Sequence, residues 1–256
     1  MRTVQNALLF FLLLLSFASC EKKLKPPTGE GNASFIPAYI KLRASFHYSG
    51  NHFSLNQVVN DQLGRAIKIE LLKFYISNIH LHFLQGGTVK IEDVLLINFN
   101  QSAGAEFLIK APIGTFNGIS FGLGLDAQQN ASDPSTFPAT HPLSVLQNTY
   151  WTWATKYRFI MLDGKGDGNG DGNLNNLFSY HAGDDLLYNT LQFSTASFQV
   201  KTKQIPSIEI KLDIDKVFFG SNGSIDFVTE SSTHATNPTA FKFAGNFADA
   251  LSVSTY

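Results

Sequence analysis

The chain has 256 residues, of which 44% are hydrophobic and 13% aromatic, and its formal net charge at pH 7 is −1. A charge balance this close to zero argues against nucleic acid or a strongly anionic molecule as the partner. The sequence also lacks a Gly-x-Ser-x-Gly elbow, a phosphate loop, a His-Glu-x-x-His motif and a dinucleotide fingerprint. We therefore expect a protein that is not an enzyme.

The segment 1–19 is predicted to be a lipoprotein signal peptide. Arg2 precedes an apolar run from Ala7 to Leu15, and small residues then lead to Cys20, the single cysteine. The apolar run is too short to span a bilayer and has the layout of a signal-peptide core. The sequence around Cys20 resembles a lipobox, in which the cysteine is lipidated and becomes the first residue of the mature protein. An ordinary cleaved signal peptide is the alternative.

Segment 20–36 is rich in Lys, Pro and Gly, and we interpret it as a flexible tether. Residues 37–256 show no internal repeat or break in composition, which favours one domain. With its only thiol lipidated, this domain would hold no disulfide, so its stability must come from its core. The expected location is the cell envelope of a Gram-negative bacterium, on the outer membrane and facing the periplasm or the exterior.

Alternation of apolar and polar residues predicts strands along most of the chain. In 40–49, Ile40, Leu42 and Phe46 share one face while charged and polar residues occupy the other, as in a half-buried strand. The same period predicts a strand over 207–219. Further predicted strands cover 67–84, 88–99, 106–112, 118–125, 157–162 and 197–202.

Helical periodicity is limited to 184–192 and 237–251. Many short strands with one polar face predict an all-β fold, an antiparallel β-sandwich with long loops and little helix. The 23 phenylalanines suit two sheets that pack through aromatic side chains. The connection 126–148 is long and polar, as functional or mobile loops often are.

Both tryptophans of the chain, Trp151 and Trp153, follow this connection and are separated by one residue. On a strand, residues two apart point to the same face, so we expect the two indoles to be neighbours. One hypothesis is that they form an aromatic platform for a glycan or a peptide together with Tyr150 and Tyr157. Another is that both are core residues.

The glycine-rich stretch 163–176 is a candidate calcium loop. Asp167, Asn169 and Asp171, followed by Gly172, match the beginning of a calcium-binding loop, but Phe178 stands where its bidentate glutamate belongs. A flexible hairpin connection is the alternative. His80 and His82, two apart on a predicted strand, share a face and allow metal ligation, although this spacing more often marks the solvated face of an amphipathic strand.

The order of five segments resembles the MbnP-like family of copper-binding proteins. The resemblance runs from about Ile40 to the C-terminus, and it is carried by the segments LLKFYISNIHL, ISFGLGLDAQQNASDP, YWTWATKYRFIMLDG, FSYHAG and THATNPTAFKFAGNFADALSV. This family is named after a methanobactin-associated periplasmic protein and is related to the surface copper proteins MopE and CorA of methanotrophs. Many of its members look like lipoproteins of Bacteroidetes-type bacteria.

The resemblance implies a copper site with few ligands, in which a tryptophan oxidised to kynurenine joins two histidines. His181 and His234 match the family histidines, and Trp151 and Trp153 match its Trp-x-Trp. Some copper relatives have Trp-x-His here, so Trp153 replaces one ligand or that ligand comes from elsewhere. The resemblance also implies a modifying partner of the dihaem peroxidase type. The function it predicts is copper acquisition, storage or buffering at the membrane.

Overall fold

The computed structural model describes residues 37–101, 105–151 and 156–256. The predicted signal peptide, Cys20 and the predicted tether lie outside these ranges, as does Trp153. Residues Ile36–Tyr256 form one compact unit. No helix within the described ranges is long and apolar enough to cross a membrane.

Strands make up most of the regular structure. They are β1 (Tyr39–Tyr48), β2 (Asn51–His52), β3 (Val58–Asn60), β4 (Ala66–Phe83), β5 (Thr88–Asn98), β6 (Glu106–Lys110), β7 (Gly114–Leu123), β8 (Ile160–Gly166), β9 (Asn176–Ala182), β10 (Asn189–Val200), β11 (Ser207–Asp213), β12 (Phe219–Gly220), β13 (Gly223–Ser224), β14 (Ser232–Thr233) and β15 (Leu251–Thr255). The α-helices are α1 (Ala127–Asn130), α2 (Ile214–Phe218) and α3 (Pro238–Asp249), and 3-10 turns occupy Pro134–Thr136, Val145–Gln147 and Asp185–Leu187.

One principal sheet has the order β15-β11-β1, with β2 and β6 along the other edge of β1. Strand β1 alternates as its sequence predicts, because Ile40, Leu42 and Phe46 are buried. It runs parallel to β11, with Leu42 opposite Ile208, whereas the other pairings of this sheet are antiparallel.

The second principal sheet is organised around β4, an 18-residue strand. Its order is β10-β7-β4-β8-β9-β14, and β3 and β5 pair with β4 as well. The first half of β4 pairs with β8 and the second half with β7. The change of partner occurs near Tyr75, whose amide donates to Phe159 and whose carbonyl accepts from Gly124. Because of this change, the β8-β9 hairpin and the β7-β10 pair extend from different ends of one strand.

Residues from both sheets and from the helices share one hydrophobic core. Helix α3 covers β9 and β4, where Phe243 stacks on Tyr180 and Phe247 packs edge-on against Phe74. Phe218 of α2 lies against Phe178 of β9. The helices thus bury one face of β9 and leave its opposite face for polar side chains.

The predicted all-β sandwich is confirmed, with three corrections in detail. The sheets are mixed, because β1-β11 and β9-β14 are parallel pairs. The strand predicted over 207–219 ends at Asp213 and continues as α2, since Ile214, Val217 and Phe218 are buried at helical spacing. The helix predicted in 237–251 is present as α3, but 184–192 contains a 3-10 turn at Asp185–Leu187 and the beginning of β10.

Candidate metal centre

The first part of the candidate site is the polar face of the β8-β9 hairpin. Phe178, Tyr180 and Ala182 of β9 are buried, so the alternating Ser179 and His181 lie on the opposite face. Asp163 of β8 is directly opposite Ser179 in the antiparallel register. Residues directly opposite each other share a face, so the hairpin brings these three polar side chains together.

The segment between β14 and α3 carries His234. Asn237 caps α3 by accepting from the amide of Ala240 at 2.8 Å, and Pro238 occupies the first turn. The hydroxyl of Thr233 donates to the Asn237 side chain at 3.1 Å. The hydroxyl of Thr236 donates to Asp184 at 2.8 Å, just beyond β9. His234 is therefore held in a segment that is anchored on both sides.

Trp151 lies at the beginning of a tight reversal and is outside the strands. Its amide donates to the carbonyl of Lys156 at 2.7 Å, and Tyr150 forms an isolated antiparallel bridge with Tyr157. The prediction that alternation along a strand would orient Trp151 is therefore wrong. Trp153 falls within 152–155, outside the described residues. The Arg158 guanidinium lies over the Trp151 ring, 5.2 Å from its centroid.

These segments bring three rings together. The ring centroids of His181 and His234 are 5.0 Å apart. The Trp151 ring is 5.9 Å from the His181 ring and 6.0 Å from the His234 ring. The three residues are far apart in sequence, and each comes from a different segment of the fold. Only 11% of the His181 side chain is exposed, whereas Trp151 is half-buried and His234 is exposed, so the three rings meet at the protein surface.

Asp163 connects the two histidines through hydrogen bonds. Its Oδ1 accepts from the Ser179 hydroxyl at 2.7 Å and lies 2.8 Å from Nε2 of His181. The Ser179 Oγ is in turn 3.0 Å from Nε2 of His234. Burial acts to raise the pKa of the Asp163 carboxyl, but the hydrogen bond and charge of His181, with the Ser179 hydroxyl, hold that pKa below its usual value.

Charge around the rings is arranged asymmetrically. Burial, together with the nearby charge of His181, lowers the pKa of the His234 imidazole. On the side of Trp151, burial also lowers the pKa of the Arg158 guanidinium. Arg158 is only 9% exposed, and it donates to the carbonyl of Asn148. The site therefore favours an uncharged His234 imidazole, with the Asp163 carboxylate on one side and the Arg158 guanidinium on the other.

Backbone packing explains the glycine that follows His181. A Cβ on Gly183 would collide with the carbonyl oxygen of Tyr157. The close approach lets the amide of Phe159 donate to the carbonyl of Ala182 at 2.7 Å. The end of β9 can therefore lie directly beside the residues that follow the Trp151 reversal.

A buried amide, Asn130, ties the long connection 126–148 to the site. Asn130 is 4% exposed, and its Oδ1 accepts from the amide of Tyr157 at 3.1 Å. Its Nδ2 donates to Asp185 at 2.8 Å, in the turn beside Asp184. The connection thus holds both the Trp151 reversal and the turn that anchors the His234 segment.

The candidate calcium loop is organised by its own hydrogen bonds. The Asp167 carboxylate accepts from the amides of Gly170, Asp171 and Gly172 at 2.8, 3.1 and 2.8 Å. The side chain of Asn169 donates to Asp171 at 3.1 Å. These contacts favour the hairpin connection between β8 and β9, and the calcium interpretation finds no support.

Within the described ranges, the candidate site included, no three His, Cys, Asp or Glu side chains are grouped so as to hold a metal ion. His80 and His82 lie on β4, where His80 Nδ1 is 2.7 Å from the carbonyl oxygen of Asn78 and His82 Nε2 is 2.8 Å from the Ser120 hydroxyl. These local partners favour the structural interpretation of the pair. A metal held by His181 and His234 would accordingly need a ligand of another residue type.

The aromatic platform loses one of its predicted members. Tyr157 has 0% exposure and donates its hydroxyl to the carbonyl of Leu143 at 2.8 Å. It packs edge-on against Tyr150, so the two tyrosines form a core contact. Trp151 is partly exposed and is not a member of the hydrophobic core. The hypothesis that Trp151 is a core residue is therefore wrong.

Sequence reasoning missed three residues of the site: Asp163, Ser179 and Arg158. The Ser-x-His spacing on β9 was available as a signal, because it places Ser179 and His181 on one face. Asp163 could be found only through the register of the hairpin, and Arg158 only through the fold of the reversal.

Comparisons with known proteins support the fold and show the family. The MbnP family matches residues 37–237. The structure of MbnP from Methylosinus trichosporium superposes with a TM-score of 0.55 at 15% identity, over 85% of this chain and 98% of that one. No curated protein matches the chain. Fold and site together define a mixed-sheet β-sandwich protein with a paired-histidine site. The chain belongs to the MbnP family.

Proposed function

We propose that this protein binds copper through His181, His234 and a ligand derived from Trp151, and that it serves in copper acquisition, storage or buffering. The observation that supports the proposal is the convergence of the three rings, with centroids 5.0 to 6.0 Å apart. The MbnP match covers all three positions.

The residues present fit the metal. Imidazole nitrogens suit copper, and burial keeps the His234 imidazole in its neutral, ligating form by lowering its pKa. Copper affinity generally exceeds that of the neighbouring divalent metals at nitrogen sites. Bound copper would be either the cargo that the protein stores or a redox centre. The hydrogen bonds of Asp163 and Ser179 would orient the rings that hold the metal.

Trp151 itself must change before it can act as a ligand, because an indole offers only an N–H donor. We propose that a dihaem peroxidase-type partner, using peroxide, cleaves the C2–C3 bond of the indole. Two molecules of peroxide are reduced to two molecules of water while C2 and C3 each gain one oxygen, which gives N-formylkynurenine. Hydrolysis of the formyl group by one water then releases formate and leaves kynurenine with an aromatic amine. That amine would provide the third nitrogen beside the two imidazoles.

The protein is further proposed to be an envelope lipoprotein with a binding role and no catalytic one. Lipid on Cys20 would anchor it to the membrane, and the tether 20–36 would separate the domain from the lipid surface. Globomycin treatment of cells producing the full chain tests this, since it blocks cleavage of lipoprotein signal peptides and should cause a larger precursor to accumulate.

The copper site is tested by exchanging both histidines. The His181→Ala, His234→Ala double variant should lose the copper that the protein from its native host carries, measured as metal per chain. The His80→Ala, His82→Ala variant is the matched control, because it removes a pair of histidines from a strand away from the site. Stoichiometric copper in the first variant would refute the ligand assignment.

Modification is tested on the same protein from the native host. We expect peptide mass spectrometry to find the kynurenine mass on the peptide that carries Trp151. Protein from a host without the peroxidase should carry unmodified tryptophan and bind copper more weakly. Unmodified Trp151 in copper-loaded native protein would contradict the proposed third ligand.

A further inference from the structure

We propose that Asp163 and Ser179 form one positioning unit that holds both histidines in the tautomer with the proton on Nε2. Each ring would then present Nδ1 to the metal. The role of Nδ1 as a ligand atom rests on the proposed copper function, whereas the tautomers follow from the hydrogen bonds of the metal-free chain.

The hydrogen bonds of Ser179 determine which atom carries the proton in its contact with His234. A serine hydroxyl has a single proton to donate, and Ser179 donates it to Oδ1 of Asp163 at 2.7 Å. Toward any further partner the Ser179 oxygen can only accept. Nε2 of His234 is 3.0 Å from this oxygen, so His234 must supply the proton of that contact.

The same reasoning applies to His181. Its Nε2 lies 2.8 Å from Oδ1 of Asp163, and an ionised carboxylate can only accept. The same nitrogen is also 3.4 Å from the Ser179 oxygen, and toward this nitrogen the oxygen can only accept. Both neutral imidazoles are therefore protonated on Nε2, which leaves the lone pair of each on Nδ1.

The strand register explains how Asp163 and Ser179 together contact both imidazole rings. Asp163 faces Ser179 directly across the β8-β9 hairpin, and His181 is two residues further along β9. Strand β14 pairs with β9 on the other side, with Ser232 opposite Ser179, and this pairing leads the chain to His234. A ligand histidine commonly donates its second ring proton to a carboxylate or other acceptor, which fixes the tautomer and the ring orientation. Here one carboxylate and the hydroxyl bonded to it perform that task for two ligands.

Nuclear magnetic resonance on the metal-free wild-type protein tests the tautomers directly. Long-range 15N–1H correlation spectra, recorded at a pH where both rings are neutral, should show the Nε2–H form for His181 and His234. The Nδ1–H form of either ring, or an even mixture of forms, would overturn the proposal. This measurement does not depend on whether copper binds.

Exchanging Ser179 gives an asymmetric prediction. In Ser179→Ala, His234 should populate both tautomers because its acceptor is gone, while His181 should keep the Nε2–H form through Asp163. Asp163→Asn should disturb His181 as well, since an amide can donate to its ring. A strand-face serine elsewhere provides the matched control, because Ser120 contacts Nε2 of His82 at 2.8 Å. Ser120→Ala should leave both site histidines unchanged.

Copper titration separates this proposal from the proposed function. Loss of such a second-sphere partner weakens metal affinity about 10- to 100-fold, so Ser179→Ala and Asp163→Asn should bind copper more weakly by that factor, and Ser120→Ala should not. Equal affinity in Ser179→Ala, Asp163→Asn and wild type would overturn the positioning role. If the wild-type protein from its native host binds no copper, the proposed function fails, and the tautomer spectra still decide the hydrogen-bond assignment.

Discussion

At the scale of single residues, the site depends on how burial and charge set the protonation of its rings. His234 is the residue whose state matters most. Its pKa is lowered from 6.5 by burial first and by the charge of His181 second, and Asp163 only partly opposes this. A neutral imidazole is the form that binds metal, so the direction of this shift is the one that the proposed role of His234 as a ligand requires.

This pKa shift predicts a pH dependence of stability. As the pH falls below 6.5, His234 is protonated in the unfolded chain before it is protonated in the folded chain. The contribution of His234 to the stability of the fold is therefore complete above pH 6.5 and is lost as the pH falls to the lower pKa of the folded state. In urea unfolding of the metal-free protein at about pH 7.5 and about pH 5.5, His234→Gln should therefore lose less stability than wild type on acidification. His52→Gln, an exchange of an exposed histidine away from the site, is the control. Equal losses in wild type and His234→Gln would contradict the prediction.

The residues of the site differ in how far sequence could reveal them. Trp151, His181 and His234 stand in short segments with a family pattern, so their joint occurrence is visible in the order of residues alone. Asp163 and Arg158 carry no such pattern, because an acid on a strand and an arginine after a tyrosine are common. Their roles depend on cross-strand register and on burial, and neither can be read from the residues around them in the sequence.

At the scale of elements, the start of α3 is decisive for the site. Asn237 both caps the helix and accepts from Thr233, so one side chain fixes the helix start and the segment that holds His234. This coupling predicts that a change in helix capping also alters the metal site.

Asn237→Ala should destabilise the protein by about 0.5 to 2 kcal/mol, the usual cost of losing a capping side chain. It should also weaken copper binding, because the His234 segment loses its anchor. Asn237→Asp provides the matched control, since aspartate caps equally well and still accepts from Thr233. The denaturant midpoint of each variant measures the change in stability, and copper titration of each variant measures the change in copper affinity. If Asn237→Ala matches Asn237→Asp in both measurements, the coupling is absent.

The type of a strand or helix was predictable where its pattern of apolar and polar residues is long and its surroundings are the same along its length. The alternation of β1 and β4 and the helical periodicity of 237–251 indicated the correct element type. The alternation over 207–219 did not, because Ile214 can face the core from a helix as well as from a strand. Trp151 also lies outside the strands, because its amide bonds to Lys156, only a few residues further along the chain. The parallel pairing of β1 with β11 joins residues far apart in sequence, and no local pattern specifies it.

At the scale of the whole molecule, the site exists only when the fold is complete. Trp151, His181 and His234 come from separate segments, and the unfolded chain has no preformed arrangement of these groups. Metal binding should therefore stabilise the folded state by mass action.

Free copper at a hundred times its dissociation constant should add about 2.7 kcal/mol to the stability of the modified protein, seen as a higher unfolding temperature. A chelator should return the protein to its metal-free unfolding temperature. The double histidine variant should show no such increase. An increase of the same size in that variant would mean that the stabilising copper lies at another place.

The buried amide of Asn130 has a practical consequence for how the protein is produced. Asn130, Ala131 and Ser132 form an Asn-x-Ser triplet, the acceptor sequence for N-glycans in a eukaryotic secretory pathway. A glycan would be attached to Nδ2 of Asn130, the atom that donates to Asp185, at a position with 4% exposure. Such a bulky group would not fit between the long connection and the turn beside β9. Secretion from yeast or mammalian cells should therefore yield glycosylated chains that misfold at the candidate site, whereas bacterial expression leaves this amide intact.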